Sequence, residues 1–318
     1  MHNNRTLGLL VSTVLLALSF SAKANNTENY GINITPFTSY RYDVYQWSVS
    51  IPKGDSVRDT MASELTWRNH IWETGIRINT PTEDKKINIL GQLKYGVILN
   101  NSKTQDSDWD DRGEFSRTLA KIKGNSMDFS GALGYSQLFS KTLFTYYIGM
   151  DYTKYNLKGY GLYGKVARKP FSNDLNHAEL GQTHHPSVLT NKYSFDNYAP
   201  WLGLSLNYQI SDNLSIVPFI KAYGFYLHGE ADWVLRDDLK HDPSFIDKAI
   251  GYGASIDTEV LYKYSDSLDF RANLGIKGLK MLKGNKKTFA VDGETDKTKL
   301  KDLTFISSSV SAGIKYRF

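Results

Sequence analysis

The chain has no cysteine among its 318 residues, so no disulfide can hold its fold together. Beyond the first two dozen residues, no stretch approaches the ~18 continuous apolar residues of a transmembrane helix. Net charge is also small, at +5, which is too mild to indicate a nucleic-acid partner. By contrast, aromatic residues make up 13% of the chain, with 21 tyrosines, and there are 25 glycines. This composition is typical of an outer-membrane β-barrel and unlike that of a soluble helical enzyme.

Residues 1–24 have the pattern of a secretory signal peptide. Arg5 precedes an apolar stretch from Leu7 to Phe20, and Ala22-Lys23-Ala24 forms a small-x-small cleavage signal. We predict cleavage after Ala24 and one mature domain over residues 25–318. Cleavage removes two of the 38 basic residues and none of the 33 acidic ones, which leaves a net charge of +3.

The last segment alternates most regularly between apolar and polar residues. From Ile306 to Phe318, the even-numbered residues are mostly apolar and the odd-numbered ones mostly small or polar. This period of two is that of a strand separating two environments. The alternative is a half-buried edge strand of a soluble sandwich. The terminal Phe318, however, resembles the C-terminal signal read by the outer-membrane assembly machinery.

About ten such segments can be marked, and short turns alternate with longer connections between them. The sequence therefore predicts an all-β fold, a ten-stranded antiparallel transmembrane β-barrel with five outer loops, in the outer membrane of a Gram-negative bacterium. Charges of both parities within the second segment also predict a bulge or frame change there. The segments are 31–50, 63–80, 85–108, 115–139, 141–162, 187–210, 213–234, 246–264, 267–286 and 300–318.

Two acidic residues lie at the end of the third segment. In that segment Ile87, Ile89 and Leu93 share one face, whereas the other face is largely polar. If the strand continues, Asp106 and Asp108 lie on the polar face, roughly 6.6 Å apart along the chain. Two carboxylates on one face above an apolar band indicate a site at the barrel mouth. The alternative is a solvated acidic loop.

A second polar cluster is predicted in the seventh segment. Its odd-numbered residues from Val217 to Trp233 have the character of lipid-facing side chains. That assignment would place Tyr226, His228, Glu230 and Asp232 in the interior. The cluster is either functional or part of an ordinary water-lined lumen, where charged residues are common.

Several stretches spread over the mature chain resemble the omptins, ten-stranded outer-membrane endopeptidases of Gram-negative bacteria. The most specific is Asp106-Ser107-Asp108-Trp109, which matches the two aspartates and tryptophan of the second outer loop in that family. The resemblance implies that Asp106 and Asp108 position a water for attack on a peptide carbonyl. The other stretches are Ser63 to Trp67, Gly149 to Tyr155, Trp201 to Leu204, Lys221 to Asp232 and Ala312 to Phe318.

The omptin pattern also implies an Asp-x-His pair across the groove. Asp232 falls on the aspartate, but Val234 stands where the histidine is expected. Allowing an insertion, His241 falls near the histidine position, and a loop could bring it back to Asp232. His228 is a third candidate, roughly 13 Å along the strand from Asp232. We take His241 as the catalytic histidine, with Asp232 orienting it.

The resemblance assigns further roles to charged residues. Glu230 and Asp43 would hold a basic side chain of the substrate. Lys154 and Lys158 would bind lipopolysaccharide, a possible activating lipid, through its phosphates. No other cofactor is expected. No metal is expected either, because His184-His185 lacks further ligands nearby.

The leading hypothesis is thus an omptin-like endopeptidase that cleaves at basic residues of a peptide or protein substrate. The alternative is a non-catalytic adhesin or binding barrel that recognises a host ligand, and a small pore is a third reading. A retained Asp-x-Asp-Trp motif favours the protease, whereas a missing histidine favours the adhesin. Outer-membrane lipid is a partner in each case, and nucleic acid is not.

Overall fold

The computed structural model describes residues 31–51, 60–81, 86–110, 113–140, 142–167 and 186–318. The predicted signal peptide and the His184-His185 pair lie outside these ranges. Among the described residues, no helix is long and apolar enough to cross a membrane. The strands are β1 (Asn33–Ile51), β2 (Thr60–Pro81), β3 (Ile87–Ile98), β4 (Lys103–Asp110), β5 (Gly113–Phe139), β6 (Thr142–Ala167), β7 (Leu189–Ser211), β8 (Leu214–Asp232), β9 (Phe245–Lys263), β10 (Leu268–Phe289) and β11 (Thr295–Arg317).

These strands form one antiparallel sheet that closes into a barrel, with β1 pairing with both β2 and β11. β3 and β4 share one position, since both lie between β2 and β5 at different heights. Ten positions therefore surround the barrel, which confirms the predicted fold. The predicted third strand is interrupted at residues 99–102, where the Leu99 amide donates to the His70 carbonyl at 2.7 Å.

A band of exposed apolar and aromatic side chains surrounds the barrel. On β9 it extends from Ile250 to Tyr262, which are both 48% exposed. That distance is roughly 40 Å along the strand, or about 30 Å along the axis at a tilt of about 40°. The band therefore matches the thickness of a membrane core. On β11, Ile306 and Val310 face outward into it, so the predicted alternation of the terminal strand is confirmed.

An aromatic layer fills the barrel above the middle of the band. The Trp67 and Tyr193 rings stack with centroids 5.6 Å apart. The Phe195 ring stacks on Tyr45 at 4.8 Å and on Tyr155 at 4.6 Å. All five side chains are at most 3% exposed. These five rings therefore form one packed layer inside the barrel.

Ion pairs fill the interior on the periplasmic side of the aromatic layer. The Arg41 guanidinium lies 3.0 Å from the Asp43 carboxylate, 2.8 Å from that of Glu73 and 2.9 Å from that of Asp128. Lys94 Nζ lies 3.3 Å from Glu73. Each buried charge thus has a partner of opposite sign, as burial in a barrel requires.

The predicted facing of β8 is wrong. Tyr223, Phe225 and Leu227 point into the barrel and are 4–6% exposed, whereas Tyr226 points outward and is 41% exposed. The physical reason is the aromatic layer. An interior packed with rings needs apolar side chains, so the inner face of β8 is more apolar than a water-lined lumen would allow.

Among the charged residues of the second strand the predicted irregularity is also wrong, and β2 shifts register against β1 at its outer end, between Ser63 and Met61. β1 and β2 pair without a register shift from Asn79 to Ser63. Throughout, the even-numbered residues Arg68 and His70 face outward, whereas Glu73 points inward. Charges occur on both parities because the outer wall above the apolar band is no longer covered by lipid tails.

Candidate functional site at the outer mouth

A cavity of 360 Å³ lies at the outer mouth of the barrel, and Asp106 and Asp108 line it. Asp106 pairs with Leu65 of β2, seven residues beyond Trp72 at the upper edge of the apolar band. Seven residues span roughly 23 Å of strand, so this mouth cavity stands clear of the membrane core. The prediction that the two aspartates share a face above the band is therefore confirmed.

The surroundings of Asp106 shift the pKa of its carboxyl group strongly. Burial and the nearby Asp108 carboxylate raise the pKa of Asp106, while Lys286, a hydrogen bond from Trp233, and Arg236 act to lower it. The net effect raises the pKa of Asp106 to about 7. At neutral pH this carboxyl group is therefore partly protonated and can act as either a proton donor or a proton acceptor.

Lys286 supplies a buried cation beside the two aspartates. Its ammonium lies 3.8 Å from the ring centroid of Phe245, 3.9 Å from that of Trp47 and 5.6 Å from that of Trp233. Burial lowers the pKa of Lys286, and Asp247, Asp106 and Asp108 oppose that shift. Cation–π contacts stabilise the ammonium in this desolvated position.

Lys286 is the last residue of the predicted segment 267–286, and the sequence did not identify it as a residue of the site. β10 shifts register by one residue between Met281 and Lys283 relative to β9. Leu279 faces inward before the shift and Lys286 after it, so the inward parity changes from odd to even. A period-two count along the strand therefore assigns Lys286 to the wrong face, and no local signal marks the shift.

Asp232 and His241 come together, as the sequence suggested they could. His241 Nδ1 lies 2.8 Å from Asp232 Oδ1, and Lys192 Nζ lies 2.9 Å from Asp232 Oδ2. Burial alone would raise the pKa of Asp232, but the hydrogen bonds from Lys192 and His241 outweigh it and lower that pKa. Asp232 is thus held ionised between two cationic or proton-donating groups.

This pair does not line the mouth cavity. Asp232 borders a separate cavity of 260 Å³ on the outer wall, together with Lys158, Lys192 and Asp242. Neither Asp232 nor His241 is among the described residues around the mouth cavity. Within the described ranges, no three His, Asp or Glu side chains are placed to hold a metal. The four residues of the predicted catalytic group therefore form two separate sites.

Glu230 and Asp43 lie on opposite faces of the barrel wall. The Glu230 side chain is 55% exposed on the outside, where His228 Nε2 lies 3.3 Å from it. Asp43 is fully buried inside, bound to Arg41 and accepting a hydrogen bond from Tyr155. These two carboxylates cannot hold one substrate side chain together. The predicted interior position of Glu230 is wrong because β8 faces the other way.

Lys154 and Lys158 lie on the outer wall of β6, above the apolar band. Lys154 Nζ is 3.7 Å from Asp196. Lys158 is the register partner of Lys123 on β5 and of Lys192 on β7, so three lysines stand side by side across the wall. Lys123 and Lys192 could not be identified from the sequence alone, because lateral neighbours are set by strand register.

Comparison with solved structures places this fold among outer-membrane barrels. The chain is similar to the outer-membrane protease OmpT from Escherichia coli, with a TM-score of 0.72 and 13% identity over 93% of this chain and 99% of that chain. The translocator domain of the autotransporter NalP from Neisseria meningitidis gives a TM-score of 0.40 and 11% identity, over 98% of this chain and 96% of that chain. No curated protein sequence matches the chain.

A family model described as Protochlamydia outer membrane protein matches residues 37–318. The match extends over the whole barrel, from β1 to the terminal phenylalanine. Together with the closed barrel and its apolar band, it locates the protein in the outer membrane of a Gram-negative bacterium. The chain belongs to the Protochlamydia outer membrane protein family.

Proposed function

We propose that this barrel binds a polar extracellular ligand in its mouth cavity and is not a protease of the omptin type. The observation that carries the proposal is the separation of Asp106 and Asp108 from the Asp232–His241 pair. A base must come within hydrogen-bond reach of the water that it activates. His70, His228 and His241, the histidines in the described ranges, lie outside the mouth cavity. Ligand binding therefore fits the geometry better than the omptin reaction.

Two tryptophans report on the cavity. Trp47 and Trp233 line it, so a bound ligand should change the intrinsic fluorescence of refolded protein. Asp108→Asn should weaken binding severalfold, because a charge-assisted hydrogen bond becomes a neutral one. Glu230→Gln is the matched control, since that carboxylate lies on the outer wall. Equal effects of the two variants would contradict the proposal.

Hydrolysis by the carboxylate pair is a second candidate, supported by the raised pKa of Asp106 next to Asp108. Two neighbouring carboxyl groups that share one proton can activate water, with one accepting its proton and the other donating. A peptide with basic residues, incubated with refolded protein and lipopolysaccharide, would reveal this activity by mass spectrometry. Cleavage that is lost in both Asp106→Asn and Asp108→Asn would favour the hydrolase over simple binding.

The outer wall supports a lipid-binding role for Lys154 and Lys158. Like charges on neighbouring strands repel, and Lys158 stands in a row between Lys123 and Lys192, of which Lys192 is already paired with Asp232 and Asp242. A phosphate group above this row would relieve the repulsion through charge-assisted hydrogen bonds. The row stands just above the apolar band, at the height of lipid head groups. We therefore propose lipopolysaccharide as its ligand.

A further inference from the structure

Lys286 lies on the wall of the mouth cavity without a partner of opposite charge in contact. Its side chain is 7% exposed and lines the cavity. Its ammonium makes no hydrogen bond to the residues that the structure describes, and none of their carboxylate oxygens lies within 4.0 Å of it. Buried charges are normally paired, because burial without a partner is costly. The aromatic rings around Lys286 stabilise the charge but leave its N–H donors without acceptors.

The ammonium can be reached from the cavity. Trp47 Nε1, on the same wall, is a fully enclosed atom without a partner, whereas Lys286 Nζ lacks a partner but is not enclosed in this way. An anionic group inside the cavity could therefore accept hydrogen bonds from Lys286 directly.

Asp106 and Asp108 line the same cavity from β4, on the side that faces Lys286. Both carboxylates interact electrostatically with the Lys286 ammonium, although each lies farther than 4.0 Å from it. Charges of opposite sign thus face each other across a gap that is too wide for an ion pair. A ligand that carries both charges would fill this gap, since its cation would bind to the carboxylates and its anion to the ammonium.

A ligand with a single charge fits this arrangement less well. An anion would meet the field of Asp106 and Asp108, and a cation would leave Lys286 without a partner. Arg236 is the other cation among the described lining residues, and Asp238 already accepts a hydrogen bond from its Nε at 2.6 Å. A zwitterion leaves the net charge of the cavity unchanged and supplies a partner for both walls.

The size and the apolar part of the wall restrict the zwitterion further. A volume of 360 Å³ lies near the lower end of the roughly 300–1,000 Å³ typical of ligand pockets, which suits a small molecule. Val49, Leu235 and Phe245 supply apolar surface next to the charged groups. A small zwitterion with an apolar side chain matches these features together.

From this geometry we infer that the mouth cavity binds a free α-amino acid with an apolar side chain, its ammonium on Asp106 and Asp108 and its carboxylate on Lys286. The inference rests on the proposed binding function and names its ligand class. An α-amino acid carries both charged groups on one carbon atom, so a single small molecule reaches both walls.

Titration of refolded full-length barrel with L-leucine, followed by calorimetry and tryptophan fluorescence, tests the inference. Two analogues each lack one charge: leucine amide has no carboxylate, and N-acetylleucine has no ammonium. Leucine should bind, and each analogue should bind at least about tenfold more weakly, because one charge-assisted hydrogen bond is lost.

Two variants separate the two halves of the site. Lys286→Met should weaken leucine binding about tenfold without weakening the binding of leucine amide, which has no carboxylate for the ammonium to hold. Asp108→Asn should weaken leucine and leucine amide alike, without weakening N-acetylleucine. Lys287→Met is the matched control, because Lys287 is not among the described residues that line the cavity, and it should bind leucine like the wild type.

Equal affinities for leucine and either analogue would overturn the inference, and so would equal losses of leucine binding in Lys286→Met and Lys287→Met. Binding of a neutral trisaccharide that Asp108→Asn weakens, without binding of leucine, would overturn the amino-acid assignment and leave the proposed binding function standing. Absence of binding to all these compounds, in protein with the gel mobility of a folded barrel, would overturn both.

Discussion

His241 Nδ1 lies 2.8 Å from Asp232 Oδ1, and this pair faces the outer wall of the barrel. The two aspartates that would share a catalytic role with it face the mouth cavity. The same chain thus carries both halves of an omptin-like constellation on different sides of its wall. A fold similar to that of OmpT does not by itself place these groups together.

The position of His241 predicts that it is dispensable for events in the mouth cavity. His241→Ala should leave ligand binding, and any peptide cleavage, within about twofold of the wild type. Asp108→Asn, measured in parallel by fluorescence titration and mass spectrometry, should reduce both. Abolition of cleavage by His241→Ala would instead indicate that the histidine reaches the mouth cavity.

The raised pKa of Asp106 predicts that the barrel loses stability between about pH 4 and pH 7. The folded state holds this proton more tightly than the unfolded chain does, so raising the pH favours unfolding. Each pKa unit corresponds to about 1.4 kcal/mol. Urea unfolding in lipid vesicles at several pH values should show this slope, and Asp106→Asn should flatten it. A slope that is unchanged in Asp106→Asn would assign the effect to another group.

Lys286 is predicted to tune that titration. Because its positive charge lowers the pKa of Asp106, Lys286→Met should move the pH-dependent loss of stability to higher pH. Methionine keeps most of the packing against Trp47 and Phe245, so the barrel should still fold. Lys287→Met, on the neighbouring residue, is the control. An unshifted pH profile in Lys286→Met would show that the two groups do not interact.

The aromatic layer predicts that the barrel does not conduct ions. Trp67 and Tyr193 are fully buried in it, and Tyr45 is 1% exposed. Recordings from planar bilayers should show no steady channel steps for the wild type. Trp67→Ala should cost about 3–5 kcal/mol of stability and is the variant in which leakage would first be seen. Regular wild-type conductance would favour the pore reading.

The lysines of the outer wall predict a salt-dependent affinity for lipopolysaccharide. Replacing Lys154 and Lys158 together with glutamate should weaken binding, with a larger effect at low ionic strength because exposed charges are screened by salt. Lys263→Glu, at the periplasmic end, is the control. Binding assays with lipopolysaccharide micelles at two salt concentrations would measure the difference. Equal affinities of the double variant and the control would refute a specific role for Lys154 and Lys158.

Much of the barrel could be predicted because strand alternation is a local property. The facing of Ile306 and Val310, and the shared face of Asp106 and Asp108, follow from counting by twos along one strand. The same count failed for β8, because it presumed a water-lined lumen where aromatic rings are packed. It also could not anticipate Lys286, whose facing depends on a register shift against β9.

The sequence by itself determined the number of positions in the barrel, the apolar band and the carboxylate pair, since each depends on residues close together in the chain. Only the tertiary structure decided which groups meet. Asp106 and Lys286 are far apart in sequence, and they face each other because ring closure brings β4 and β10 around one cavity. Asp232 and His241 are near in sequence but point away from that cavity, because the odd-numbered residues of β8, such as Tyr223 and Leu227, face the interior and the even-numbered ones face outward.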